Sequence, residues 1–496
     1  MAHKLEQRTG WRPPFAVVGA LSLLFSSAAC RGSDPGTPPP PAILRVGISV
    51  GEMATADPQN GVRQVAQNLS IEGLVKFGED GRPTAWLAQS WAFTPDGRSL
   101  KIQLRPGVTF HDGSPVTASS IATSLRRVLP EMMGPVFEDV ESIEAIGESA
   151  IDIKLHRQSP FVLEALDVQL RSLGPNPVGT GPFKAAGPTA PDELRANENY
   201  YLGHPLLDRI VVSTYPTVRA AWAEMLRDHL DMLFDVGTDA LDSLDRATNI
   251  SSFNFVRRYQ YALIFNTHNS SLRSAEIRQA LSLAVDRDSI VREALNGRGV
   301  PSSGPIWPHH WALGASSQKP AFDPAKAARV LAAQPLHFTC LVPADYERLA
   351  LVVKRQLQAV GVSMDVKEVR PDEIYAAMAR RDFDAVLFEV VSGPNIFRPF
   401  RWWYSGPKSQ AGFSSPAVDA ALDRVRHAGS DDDYRAGVAS FQQAIEVDPP
   451  AIFLAWSERA RAVSKRFVVP SEPGRDVLAT IRFWKPIGDV APPSRN

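Results

Sequence analysis

The feature that most constrains this chain is how its hydrophobic residues change period between Tyr346 and Val391. In "YERLALVVKRQLQAVGVSMDVKEV", Leu349, Val352, Val353 and Leu357 recur at the spacing of one helical face. Gly361 stands where such a helix would end, because glycine accepts the left-handed conformation of a helix C-terminus. Val362, Met364 and Val366 then alternate as in a strand. "FDAVLFEVV" is a continuous apolar run broken only by Glu389, the pattern of a strand covered on both faces. The theme recurs elsewhere. Ile277, Leu281, Ala284 and Val285 share a helical face, and "SSPAVDAALDRVRHA" opens with Ser415 as a cap and Pro416 at the first helical position. "ILRVGIS" and "SLKIQL" read as strands, and Asp96-Gly97 before the second suits a hairpin turn. Helices alternating with strands predict an α/β protein.

At 496 residues, 44% hydrophobic and 22% charged, the chain has material for two to three domains. A net charge of -1 without a single-sign block argues against nucleic acid, which needs a concentrated basic face. Lys4, Arg8 and Arg12, the apolar run Phe15 to Phe25 and the small residues of "SSAAC" predict a secretory signal over residues 1–29. Cys30 directly follows Ala28 and Ala29. The arrangement resembles a bacterial lipoprotein signal with Ser27 in place of the usual aliphatic residue, and makes Cys30 the predicted lipidation site. Residues 30–42, with "RGSDPGTPPPP", read as a proline-stiffened tether to a membrane surface. The other of the two cysteines, Cys340, falls in an apolar strand and reads as a buried hydrophobe.

His111 and Asp112 in "LRPGVTFHDGSPVTASSIATSL" pair residue types used in catalysis. Adjacent residues of an extended segment face opposite sides, and Asp112-Gly113 signals a turn. The expectation is a turn, followed by a helix capped by Thr117 whose capping box lacks its acid at Ser120. His309-His310 lie in a proline-flanked loop without a carboxylate or cysteine nearby, so no metal is expected. There is no HExxH, GxSxG, GxxxxGK[ST] or paired CxxC. "VGTGPF" reads as a connecting turn. No enzyme activity and no cofactor are expected.

In order along the chain, "IEGLVKFGEDGRPTAWLAQSWAFTPDGRSLKIQLRPGVTFHDGSPVTASSIATSL", "VGTGPFKA", "FNTHNSSLRSAEIRQALSLAVDRDSIV", "AFDPAKAARVLA", "RLALVVKRQLQAVGVSMDVKEV", "GFSSPAVDAALDRV" and "PPAIFLAWSERARAVSKRF" resemble the peptide- and dipeptide-binding (family 5) solute-binding proteins of ABC importers. The resemblance implies a two-lobed periplasmic-binding-protein fold with a small extra domain inserted in the first lobe. It places lobe I at 43–77, 171–265 and the tail 466–496, the inserted domain at 78–170 packed on lobe I, and lobe II at 266–465. It implies a monomeric, membrane-anchored extracytoplasmic receptor that captures a small solute between its lobes and delivers it to ABC permease subunits. A sensor signalling to a membrane partner is the alternative, and an extracytoplasmic hydrolase a remote one.

By position along the family pattern, the expected ligand-binding residues are Met53, Thr55, Asn266, Glu389, Ser392, Gly393, Asn395, Trp402, Trp403 and Tyr404. Peptide-binding members carry an aspartate in a W-x-x-D-Y-P-D-P-like segment. This chain has "FEVVSGPNIFRPFRWWYS" there, with Glu389 as the one nearby carboxylate. A buried ammonium without that acid is costly, which points to a solute other than a short unmodified peptide. At most one of Trp402 and Trp403 is expected to touch it, since consecutive residues rarely share a face.

Overall fold

A computed structural model describes residues 40–49, 59–187, 192–236, 246–314, 321–333, 335–406 and 411–488, with 190, 244 and 409. Cys30, Met53 and Thr55 lie outside the described residues.

The main sheet has eleven strands, in the order Val362–Glu368, Leu336–Val342, Ala385–Val391, Ile250–Phe265, Ala451–Ser464, Met232–Val236, Ile43–Ser49, Arg209–Tyr215, Glu193–Ala196 and Phe183–Ala185, with Gly299–Pro301 added beside Ala451–Ser464. Ile43–Ser49 is parallel to both Arg209–Tyr215 and Met232–Val236. Leu336–Val342 is parallel to both Val362–Glu368 and Ala385–Val391. Joining these two parallel halves are the long antiparallel strands Ile250–Phe265 and Ala451–Ser464, of 16 and 14 residues. Their register breaks between the pairs Val256–Glu458 and Gln260–Trp456. Arg257, Arg258 and Tyr259 thus face Ser457 alone, a bulge that bends the pair where the halves meet.

In the second half, alternate residues of the same strands feed different cores. Leu263, Leu387 and Leu454 pack with the helices Ala275–Leu283, Arg287–Ala294 and Glu347–Gln358. Leu349, Val352, Val353 and Leu357 all face that core as their spacing predicts, and Gly361 takes a φ of 85° after the helix. Cys340 is fully buried there, and burial pushes its thiol up. Ala262, Val386 and Phe388 lie on the opposite side, with the helices Phe397–Trp403, Pro416–Arg426 and Asp431–Val447.

A separate antiparallel sheet, Ala88–Phe93, Ser99–Leu104, Ala150–Leu155 and Val140–Ile146, carries the helix Ala118–Met133. Thr117 caps this helix. The capping box expected to lack its second arm is complete, because the Ser120 hydroxyl accepts from Thr117 N at 3.1 Å and replaces the carboxylate. Ser415, by contrast, precedes Pro416 without accepting a side-chain cap bond. His111 and Asp112 form a turn. Asp112 accepts from Ser114 N at 2.9 Å, while His111 Nε2 meets Gly181 O at 2.9 Å.

The expectation set this segment against the first lobe. The His111–Gly181 bond does tie it there, but its apolar face runs into the Phe397–Val447 helices as one core. Phe161 packs edge-on against Phe400 with ring centroids 5.3 Å apart.

"VGTGPF" has a steric reason for its glycines. A Cβ on Gly179 would lie 1.9 Å from Ser70 O, and one on Gly181 would lie 2.6 Å from Leu69 O. Overpacking against backbone that is itself held in place is destabilising. Gly179→Ala is therefore expected to lower unfolding free energy by about 2 kcal/mol, read as a fall in urea midpoint at constant slope. A midpoint equal to that of the wild type would contradict this account of the turn.

Candidate functional site

The carboxyl ends of the parallel strands in both halves point toward the bulge, as the registers require. Ser49 and Asp235 lie two residues beyond the Gly47–Leu233 pair, and Glu389 sits one residue before Val390, which pairs with Gln260. Open α/β sheets bind ligands at the carboxyl ends of their strands.

A cluster of charges occupies this place. Glu389 Oε2 accepts from Arg257 Nη1 at 3.0 Å, and Arg459 Nη2 lies 3.8 Å from Oε1. Arg459 Nε is 4.0 Å from Asp235 Oδ1. The side chains of Glu389, Arg459 and Arg257 are 9%, 16% and 21% exposed. Tyr261, paired with Glu389 across the strands, meets Tyr346 edge-on at 5.2 Å, and the Arg257 guanidinium lies 4.3 Å from the Tyr259 ring centroid.

Burial alone would raise the Glu389 pKa, but Arg257 and Arg459 outweigh it and hold the carboxyl below its usual range. Burial alone would likewise lower Arg459, and Glu389 above all reverses the effect. Buried polar groups are normally hydrogen-bonded. Here Glu389 Oε1, Arg459 Nε, Ser457 Oγ, Asp235 Oδ1 and Ser49 Oγ are buried without a partner. That concentration marks a place built to bond something else.

Of the residues expected from sequence, Glu389 is in this cluster. Ser392 and Gly393 follow it on the same strand end, where their amides donate to Arg258 O at 3.1 and 3.2 Å. Ser392 Oγ is buried without a partner, and Gly393 leaves room for Trp307, whose ring would lie 3.1 Å from a Cβ.

The others do not join it. Asn266 spends its side chain on its own loop, donating to Arg381 O and Phe383 O and accepting from His268 N at 3.0 Å. Asn395 is 1% exposed and donates to Glu164 O at 3.4 Å. Trp402 packs edge-on against Phe388, and Trp403, fully buried, does the same against Phe453. Both therefore belong to the core, because the helix Phe397–Trp403 turns its aromatic face inward. Tyr404 stacks on Phe400 at 4.3 Å and donates to Asp423. Together with Arg401 it lines a groove whose walls include Met132, Met133 and Pro135 and none of the charged cluster.

Arg257, Arg459, Tyr261, Tyr346, Ser457 and Asp235 went unread in the sequence. Two breaks could have shown the first two: "RR" interrupts "FNFVRRYQYALIF", and "SERAR" interrupts "FLAWSERARAVS". His310 is 3% exposed and stacks on Tyr434, and burial lowers its pKa to about 3, so it is a neutral core residue. Among the described residues no group of three or more His, Cys, Asp or Glu could hold a metal.

The family described as bacterial extracellular solute-binding proteins, family 5 (middle), matches residues 82–412, about two thirds of the sequence. The chain belongs to this family. It is 23% identical over 467 residues to the glutathione-binding protein GsiB of Pectobacterium atrosepticum, covering 86% of this chain and 90% of that one. To the oligopeptide-binding protein AppA of Bacillus subtilis it is 23% identical over 479 residues, covering 84% and 86%. Its fold matches NikZ of Campylobacter jejuni in complex with Ni(L-His), with a TM-score of 0.75 and 23% identity over 90% of this chain and all of that one. The family 5 fold is two-lobed α/β, and this chain has it. Family 5 proteins bind solutes and are not enzymes, which removes the hydrolase alternative. No helix among the described residues is long and apolar enough to cross a membrane.

Proposed function

We propose that this protein captures a small solute between its two lobes, on the Glu389–Arg257–Arg459 cluster, and delivers it to the permease of an ABC importer. The observation that carries this is the set of buried, unpartnered polar atoms where strand ends from both lobes meet the bulge. A ligand that touches both lobes at once drives their closure, because it binds the closed state better than the open one. The bulge at Arg257–Tyr259 is the natural place for the two long strands to flex.

The relatives named for glutathione and oligopeptides, and the one complexed with nickel–histidine, show that the fold serves chemically unlike solutes. Here Ser392 and Gly393 follow Glu389 where peptide-binding members carry the acid, and Glu389 is already bonded to Arg257. Each acid of the cluster already faces an arginine, Glu389 facing Arg257 and Arg459 and Asp235 facing Arg459, so neither is free to offset a buried ammonium group. The solute is therefore other than a short unmodified peptide. Micromolar binding of dipeptides to pentapeptides would count against this.

In the same proposal residues 1–29 are removed, Cys30 is acylated, residues 30–42 form the leash, and the monomer works outside the cytoplasm. The lobe boundaries follow the division given above, with 78–170 as the inserted domain. Acyl chains contribute about 0.8 kcal/mol per buried methylene, so two or three of them hold the protein at the membrane. Cys30→Ser should shift it from the membrane to the soluble fraction, and unchanged fractionation would refute the anchor.

The test of the receptor itself is mass spectrometry of the small molecules released when the purified protein is denatured. One enriched compound, or a chemically uniform set, that raises the Tm of the refolded protein is the expected result. A set dominated by ordinary peptides would refute the solute class, and turnover of the compound would refute a binding role.

A further inference from the structure

We propose that the pole of the first lobe farthest from the cleft is a membrane-contact surface, resting on anionic lipid headgroups. This goes beyond the receptor function above and rests only on its lipid anchor. Of the eleven large apolar side chains exposed among the described residues, four gather here: Leu206, Val468, Phe483 and Ile487, between 42% and 52% exposed.

Backbone bonds bring them together. Leu206 N donates to Arg482 O at 2.8 Å, and Ile487 N donates to Arg466 O at 2.7 Å. Between these, Phe467–Val468 pairs antiparallel with Lys485–Pro486, and Val468 stands opposite Lys485. Phe467 and Trp484 are buried in the core, so alternation turns Val468, Lys485 and Ile487 out to solvent.

Cations rim this apolar strip. Lys465 and Arg482 donate to the Thr248 and Leu202 carbonyls, and neither they nor Lys485 meets a carboxylate among the described residues. The acids beside the strip are engaged. Asp231 is shared by Arg45 and Arg466, Asp228 lies 4.0 Å from Arg466, and Asp208 accepts from Ala42 N at 2.6 Å. An anionic bilayer surface attracts lysine and arginine and takes in apolar side chains, which is the mixture found here.

Ala42, the last residue of the leash, is held through Asp208 beside this strip. Cys30 precedes it by twelve residues, a reach of at most about 40 Å. A leash that short makes the contact intramolecular, so a surface too weak to hold the protein alone suffices. Leu206 lies just before Arg209, which pairs with Ile43, and Arg466 just after Val463, which pairs with Met232. These are the amino ends of the parallel strands, opposite the ends that meet at the bulge. The contact therefore leaves the cleft turned away from the membrane.

The experiment is hydrogen–deuterium exchange of the purified, acylated protein in detergent and in protein-free vesicles. One set of vesicles contains about one third phosphatidylglycerol, the other phosphatidylcholine alone. Exchange over 203–207, 466–468 and 483–487 is expected to slow about fivefold in the anionic vesicles, and the effect to vanish in phosphatidylcholine and in about 0.5 M salt. Lys485→Glu with Ile487→Asn, both at exposed positions, should fold normally, keep the solute-induced rise in Tm and lose the slowing.

Equal exchange in detergent and anionic vesicles overturns the proposal, as does slowing centred elsewhere or retained in the variant. Equal slowing in phosphatidylcholine overturns the anionic requirement. Slowing seen in native membranes and absent from protein-free vesicles assigns the strip to a protein partner instead. A protein that does not incorporate into vesicles removes the anchor and this proposal together, and the rise in Tm with released solute reports separately on the receptor function.

Discussion

Asp139→Asn is expected to destabilise the folded protein by about 3–5 kcal/mol, because it breaks a buried ion pair and leaves its cation inside. Asp139 Oδ2 accepts from Arg426 Nε at 2.6 Å and Oδ1 from Arg426 Nη2 at 2.9 Å, with the two side chains 2% and 4% exposed. Arg157 and His427 add bonds of 3.2 and 3.3 Å to the same carboxylate. The pair joins the segment after the helix Ala118–Met133 to the helix Pro416–Arg426.

Burial alone would raise the Asp139 pKa, but the bonds from His427 and Arg426 and the charge on Arg426 pull it well below the carboxylate range. A depressed carboxylate contributes its stability above the unfolded pKa and loses it as pH falls through the folded one. The gap between wild type and variant should therefore be full at pH 7 and close only in acid, below about pH 4. Urea titrations at pH 7 and pH 3 measure it. A difference under about 1 kcal/mol at pH 7 would mean the pair is not buried as described.

Glu164 makes the opposite prediction in the same interface. Its carboxyl accepts from Tyr434 OH at 2.5 Å and Phe397 N at 2.9 Å, and is 7% exposed. Burial raises its pKa to about 7, against the lowering effect of the Tyr434 and Phe397 bonds. Of the charges facing it, Asp167 raises the pKa and Arg398 lowers it.

A folded pKa above the unfolded one gives stability that is complete below about pH 4.3 and is lost as pH rises through 7. The loss sums to about 3 kcal/mol at 1.36 kcal/mol per pKa unit. Glu164→Gln keeps an acceptor for Phe397 N and carries no charge. Its stability should lack this slope, so the difference between the two proteins should change by about 3 kcal/mol between pH 4 and pH 8. Parallel pH profiles would contradict the burial of the Glu164 charge.

The fold was legible because each half-sheet announces itself locally. Gly361 closes a helix whose four inward residues are all buried, and "AVLFEVV" sits between two strands as its unbroken apolar run requires. The site was less legible, since its members are brought together by a register break that no local pattern records. Arg257 and Arg459 are far apart in the chain and meet Glu389 only because three residues of one strand face a single residue of the other.

Position along the family pattern led toward Trp402 and Trp403, and aromatic adjacency says nothing about which way a short helix turns. Asn266 failed for a similar reason: an amide at a strand end serves its own loop as readily as a ligand. The packing of the small sheet was hidden too. Phe161 and Glu164 show their partners, Phe400 and Tyr434, only once the chain is folded.

The most direct test of the central claim is hydrogen–deuterium exchange of the purified protein with and without a saturating amount of the compound it releases. The strand ends are expected to gain protection together, over 232–236 and 255–261 of the first lobe and over 387–393 and 455–460 of the second. Protection confined to one lobe, or centred on Tyr404 and its groove and absent from the Arg459 strand, would contradict a site shared between the lobes at the bulge.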